Sequence, residues 1–153
     1  MLIPTFGEKE KDQNYQTRRG AYVVVPQLNK EKIILVQAPN GAYFLPGGEI
    51  EAGEDHFAAI HREMLEELGF EVEIATYFGE AVEHFYSRHR NTYFYHPGYF
   101  YEVTTWKRVA EPTEKTNQLA WVTPTEALKL LKRGSHQWAV KQWLIKNEHS
   151  TAH

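Results

Sequence analysis

Residues 47–70, GGEIEAGEDHFAAIHREMLEELGF, constrain the fold more than any other stretch of the chain. Phe57, Ile60, Met64 and Leu68 recur at the spacing of one buried helical stripe. Glu54 or Asp55 stands where such a helix would start and Gly69 where it would stop, which predicts a helix from about Asp55 to Leu68 with Gly69 as C-cap. Glu63, Glu66 and Glu67 fall at i, i+3 and i+4, at roughly 0°, −60° and +40° around the axis, so one face carries three carboxylates. Like charges at this spacing repel by roughly 0.2–0.5 kcal/mol per pair. A hard divalent cation converts the repulsion into a ligand set, since Mg²⁺ prefers oxygen donors and commonly retains waters and phosphates. Arg62, next to Glu63 and four residues before Glu66, can anchor a carboxylate and offset part of the repulsion, and Glu54 completes the set. Gly47-Gly48, after Pro46, lets the backbone approach a ligand or turn a carbonyl onto a metal, where a Cβ would obstruct.

Around this segment the pattern is mostly β. Ala21–Val25 and Lys32–Ala38 are apolar, β-branched runs, and Asn40-Gly41 supplies a turn before a short strand at Tyr43–Leu45. Residues 71–87 and 91–106 are rich in aromatic and β-branched residues, and Leu119–Val122 adds another short strand. Thr123, Pro124 and Glu126 form a helix start with N-cap, N1 proline and N3 glutamate, predicting a helix to about Lys132 that Gly134 ends. Ser135 is expected to cap a last helix with Ala139, Val140, Trp143 and Leu144 on one side. The order β-β-β-α-β-β-β-α-α calls for a mixed sheet with helices packed on it, in the α/β (α+β) class. The 153 residues suit one domain spanning 1–153, with 1–17 and 147–153 expected to be extended or flexible.

Cysteine is absent, which excludes disulfides, thiolate nucleophiles and thiolate metal sites and suits a reducing compartment. Neither an apolar leader nor an 18-residue apolar run is present, so the expectation is a cytoplasmic protein without a membrane span. The net charge of −3 argues against a nucleic-acid coat while leaving room for a small phosphorylated ligand.

Gly48, five residues, Glu54, seven residues, then Arg62-Glu63-Met64-Leu65-Glu66-Glu67-Leu68-Gly69-Phe70 matches the Nudix box at every defining position. The chain resembles the Nudix, or MutT-like, hydrolases, and the strand order and the segment LAWVTPTEALKLL extend the likeness over most of its length. The resemblance implies an α/β/α sandwich around a mixed sheet and hydrolysis of a nucleoside diphosphate linked to another moiety, with Mg²⁺ or Mn²⁺. It implies that Glu66 and Glu67 are principal metal ligands, Glu63 a ligand or general base, the Gly48 carbonyl a further metal contact, and Arg62 and Glu54 orienting or ligating partners. In this family the base can lie outside the box, where Glu83, Glu102, Glu111 and Glu114 are available. A homodimer is also suggested by the resemblance.

Outside the box, Arg88, Arg90, Arg19 (with Arg18) and Glu114 are candidates for contact with the substrate, and the aromatics of residues 84–101 for base stacking. His84, His89 and His96 fit no zinc spacing. Two alternatives stand beside the hydrolase reading: a nucleotide-binding sensor without catalysis, and an RNA 5′-end pyrophosphohydrolase, against which the acidic charge counts.

Overall fold

The β-branched run at residues 20–24 forms a strand whose five residues are all buried, Ala21 and Val23 to one side, Tyr22 and Val24 to the other. A strand apolar on both faces requires cover on both. In the computed structural model, which describes residues 2–151 (residues 149–151 as backbone only), helices supply it. The elements are β1 (Thr5–Phe6), β2 (Tyr15–Thr17), β3 (Gly20–Val24), β4 (Ile33–Gln37), β5 (Tyr43–Phe44), β6 (Gly47–Glu49), α1 (His56–Glu67), β7 (Phe70–Ser87), β8 (Thr92–Arg108), β9 (Gln118–Val122), α2 (Pro124–Leu130) and α3 (Gly134–Thr151).

Strands β1-β7-β8-β3-β6 form a mixed sheet, with β2 also on β8; β5-β4-β9 form a smaller antiparallel sheet. The long antiparallel β7–β8 hairpin shifts register three times between Glu73 and Gly79, which bends it around the core. On one side α1 buries Ala59, Ile60, Met64 and Leu68 against Val23, Val103 and Tyr101. On the other, α2 and α3 pack Ala127, Leu131, Val140 and Trp143 against Val24, Leu35 and Phe100. This is the layered α+β arrangement that the sequence predicts.

Several local expectations need correction. Phe57 is 49% exposed, and Ala59 takes its place in the buried stripe. Phe57 lies in the first turn, where it meets the rim of the core at the Tyr101 ring, centroids 5.4 Å apart. Residues 2–17 keep the extended course expected of them, and β1 and β2 within it pair in parallel with β7 and β8. Residues 147–151 continue α3, where Asn147 donates to the Trp143 carbonyl and accepts from Lys30; Ala152 and His153 lie outside the described residues. Gly134 begins α3 and does not end α2, which stops at Leu130. A Cβ at Gly134 would meet the Phe6 ring at 2.5 Å, so the glycine serves close packing. The cap expected of Ser135 comes from a distant strand: the Ser135 N–H donates to Glu83 Oε1 at 3.0 Å.

Candidate active site

Helix α1 starts where Asp55 accepts from the Ala58 N–H and ends at Leu68, after which Gly69 turns left-handed at φ +72°. Its glutamate face looks toward β6, and the Gly47 N–H donates to Glu67 Oε1 at 2.8 Å. A loop closes over the other end of the face. Val109 N–H donates to the Gly69 carbonyl and Glu114 N–H to the Glu66 carbonyl, both at 2.9 Å, so carbonyls at the helix end hold the loop in place. Through this loop Glu114 reaches Glu63 and Glu67, and one oxygen from each lies within 4.8 Å of the others. No other such group of acidic or histidine side chains occurs among the described residues.

Arg62 fixes the outer carboxylates. Its Nε donates to Glu54 Oε2 at 2.7 Å and its Nη2 to Glu54 Oε1 at 3.0 Å, while Nη1 reaches Glu63 at 3.0 Å and Glu66 at 3.2 Å. A further bond, Nη2 to the Glu49 carbonyl at 2.9 Å, ties the guanidinium to the end of β6. The hydrogen bonds from Arg62 hold Glu54 below the usual carboxylate range. Burial raises Glu63 to about 7, against the pull of Arg62 and with help from the charges of Glu66 and Glu114. Glu67 is raised well above its ordinary value, first by burial, then by Glu63, Glu114 and Glu66, although the Gly47 N–H opposes the shift. Two neighbouring carboxylates thus resist ionising together without a counter-charge.

Arg62, Glu63, Glu66, Glu67 and Glu114 line an open cleft of about 550 Å³ that also includes Gly47, Gly48 and Arg18. Gly48 is hemmed in: a Cβ there would lie 2.5 Å from Glu63 Oε1. Arg18 pairs with Glu49 at 3.3 Å, and its carbonyl accepts from His96 Nδ1 at 2.5 Å. Because that carbonyl can only accept, His96 Nε2 is left to accept from the Tyr22 hydroxyl at 2.9 Å. Burial drives His96 down to about 3, so it stays neutral as a strut between β8 and the Arg18 backbone.

Phe44 of β5 and Gly47 of β6 are only three residues apart in the chain. Phe44 lines a second cleft of about 400 Å³, with Phe85, Tyr86, Arg88, Lys132 and Arg133 among its walls. Arg133 is stacked there, its Cζ 4.9 Å from the Phe44 centroid and 4.3 Å from that of Phe85.

The sequence-predicted residues therefore divide. Glu63, Glu67 and Glu114 come together; Glu66 lines the same cleft but turns to Arg62, and both oxygens of Glu54 are taken by Arg62. Arg18, not Arg19, lines the carboxylate cleft; Arg19 lies beside it with Glu51 and Glu54. Arg88 lines the second cleft, and Arg90 sits over the Phe94 ring at 5.9 Å. Glu102 is 2% exposed and ion-paired with Lys146 of α3, and Glu111 pairs with Arg108, so neither belongs to the cleft. Tyr22, Lys132 and Arg133 carry no local signal in the sequence; their places depend on long-range pairing.

The NUDIX domain family model matches residues 17–144. No curated protein sequence matches the chain. Solved structures similar to it include the Escherichia coli ORF135 protein, with TM-score 0.66 and 21% identity over 86% of this chain and 91% of that one. The MutT protein of Bacillus halodurans is similar at TM-score 0.65 and 22% identity, over 81% and 80% of the two chains. The E. coli dihydroneopterin triphosphate pyrophosphohydrolase is similar at TM-score 0.63 and 17% identity, over 84% and 95%. At these identities the structural likeness is one of fold, and the family assignment comes from the domain match. The chain belongs to the Nudix family and is a hydrolase acting on pyrophosphate bonds.

Proposed function

We propose that the protein is a divalent-cation-dependent nucleotide pyrophosphohydrolase, using Mg²⁺ or Mn²⁺ in the carboxylate cleft. The observation that carries this reading is the meeting of Glu63, Glu67 and Glu114 within 4.8 Å at an open surface, with Glu63 raised to about 7. The donor set is all oxygen and suits a hard cation. Glu63, Glu67 and Glu114 would hold it, with Glu66 and the Gly48 carbonyl alongside. When bound, the cation supplies charge neutralisation of the pyrophosphate and acidifies water.

The remaining work falls to the chain. Arg18, on the wall of the cleft, offers a cation to phosphate oxygens. The His96 strut holds its backbone in place. Arg62 keeps Glu63 and Glu66 oriented, so the face is preorganised before substrate arrives. A glutamate of this face takes the proton from the attacking water, a contribution of typically 10²–10⁴-fold. The aromatic second cleft, whose Phe44 is three residues from Gly47 in the chain, supports a nucleotide as the substrate, its base stacked on Phe44, Phe85 or Tyr86. Among the described residues no helix is long and apolar enough to cross a membrane.

A hydrolysis panel tests the proposal: nucleoside triphosphates, nucleotide sugars, ADP-ribose, dinucleoside polyphosphates and 5′-triphosphorylated RNA, each with Mg²⁺ and with chelator. Metal-dependent cleavage of at least one free nucleotide is expected. Nucleotide binding without turnover would favour the sensor reading, and cleavage of RNA alone the 5′-end reading.

A further inference from the structure

Arg18 sits at a break in a parallel ladder, and the cause of the break is Pro97. Strands β2 and β3 both run beside β8 in one register: Thr17 is opposite Tyr95, and Gly20 is opposite Gly98. That register puts Arg18 opposite His96 and Arg19 opposite Pro97, although neither arginine belongs to a strand. In a parallel pair a residue's N–H donates to the carbonyl before its partner, and its carbonyl accepts from the N–H after it. The first bond is made, Arg18 N–H to the Tyr95 carbonyl at 2.9 Å. The second would need the N–H of residue 97, which a proline lacks. His96 fills the gap with its side chain, donating from Nδ1 to the Arg18 carbonyl at 2.5 Å. One ring N–H thus replaces a ladder bond at a residue that lines the carboxylate cleft.

The His96 ring is itself fixed. A neutral imidazole carries one N–H, so Nε2 accepts from the Tyr22 hydroxyl at 2.9 Å. Both partners are buried, Tyr22 at 7% exposure and His96 at 2%. Tyr22 stacks on Phe100 and lies 4.5 Å from the His136 ring, whose Nδ1 accepts from the Leu45 N–H. Gly20 leaves the room: a Cβ there would come within 2.7 Å of the Tyr22 ring and 2.9 Å of the His96 ring. Resting on the pyrophosphohydrolase reading of the carboxylate cleft, we infer that Tyr22 and His96 are positioning residues for the reaction. They hold the Arg18 backbone through the donor that Pro97 cannot supply, and so aim its guanidinium at a phosphate oxygen of the substrate. Shape alone does not give this hold, because a ring of the same size without the Nδ1 donor leaves the Arg18 carbonyl without its partner.

Calorimetric binding of methylenediphosphonate with Mg²⁺ tests the inference, since the P–C–P link of this pyrophosphate mimic resists hydrolysis. Arg18→Ala is expected to weaken binding about 10- to 100-fold, the range for one charge-assisted bond. His96→Phe, a ring without a donor, should weaken it about 10-fold, and His96→Asn, which keeps an N–H donor near the Nδ1 position, about threefold or less. A packing role would reverse that order, since phenylalanine fills the space and asparagine does not. In the Arg18→Ala background His96→Phe should add less than about twofold, because both act through one guanidinium. Additive losses, no loss in Arg18→Ala, phenylalanine at position 96 serving as well as asparagine, or a parent that does not bind the mimic overturns the inference. Should His96→Phe not fold, Tyr22→Phe decides: it removes only the hydroxyl, and its loss of about threefold should vanish in the Arg18→Ala background. Additive losses with nucleotide turnover intact would sink the positioning role and leave the hydrolase reading standing. Coupled losses with no turnover of any nucleotide would do the reverse.

Discussion

Glu67, in the last turn of α1, accepts the Gly47 N–H of β6 at 2.8 Å, so one of the carboxylates proposed to hold metal also ties the helix to the glycine strand. The two roles can be separated. Glu67→Gln keeps an oxygen for Gly47 but removes a charge that burial and three neighbouring glutamates oppose. The variant should lower kcat at least 10²-fold, in the range for loss of a group acting in the transition state. Its melting temperature in chelator should match or exceed that of the parent. Parent-level kcat would refute the catalytic role, and a marked fall in melting temperature would make Glu67 structural.

The paired glycines should respond differently to alanine. A Cβ at Gly48 meets the flexible end of Glu63, so Gly48→Ala should fold normally and lose activity as Glu63 is displaced. At Gly47 the Cβ would collide with the Ala21 carbonyl oxygen, and φ is +139°. Gly47→Ala is therefore expected to cost several kcal/mol of stability. Thermal melts beside activity assays distinguish the two; the opposite ranking would contradict the placement.

Arg62 bridges Glu54, Glu63, Glu66 and the Glu49 carbonyl, with its side chain 22% exposed. Exposed pairs contribute up to about 1 kcal/mol and breaking buried ones costs about 3–5, so Arg62→Ala should destabilise the metal-free chain by about 2 kcal/mol. That is about 4–8 °C in melting temperature for a chain of this length. Arg62→Lys should recover little, because one ammonium cannot reproduce the planar fork. Full recovery by lysine would show that charge alone matters.

Metal binding should depend on pH in a definite direction. Burial raises Glu63 from 4.5 to about 7 and raises Glu67 as well, so between about 4.5 and 7 the folded chain holds protons that the unfolded chain has released. Stability from this source falls as pH rises through that window. His96, held near 3 by burial, acts oppositely below 6.5, but equally with and without metal. The difference between Mg²⁺ and chelator isolates the carboxylates. Since the cation displaces their protons, its stabilising shift in melting temperature should be clearly larger at pH 7.5 than at 5.5. Equal shifts would contradict the account.

Much of this site is readable from residues 47–70, because box and helix are local: periodicity fixes α1, and spacing puts the glutamates on one face. What the sequence hides is tertiary. That Glu114 joins Glu63 and Glu67 while Glu66 turns to Arg62 depends on a loop held by the carbonyls of Glu66 and Gly69. That Glu83 caps α3, in place of Ser135, depends on a contact 52 residues apart. Gly134 resembles a helix stop in the sequence, yet it is small because Phe6 of β1 packs against it. Phe57 keeps the helical period and still lies outside the core, since the stripe outruns the surface that α1 covers.

The most direct measurement is anomalous diffraction from a crystal of this protein soaked in Mn²⁺. The account predicts a peak bound directly by oxygens of Glu63, Glu67 and Glu114. Empty density there, with the three carboxylates spread apart and the peak elsewhere or missing, would contradict it.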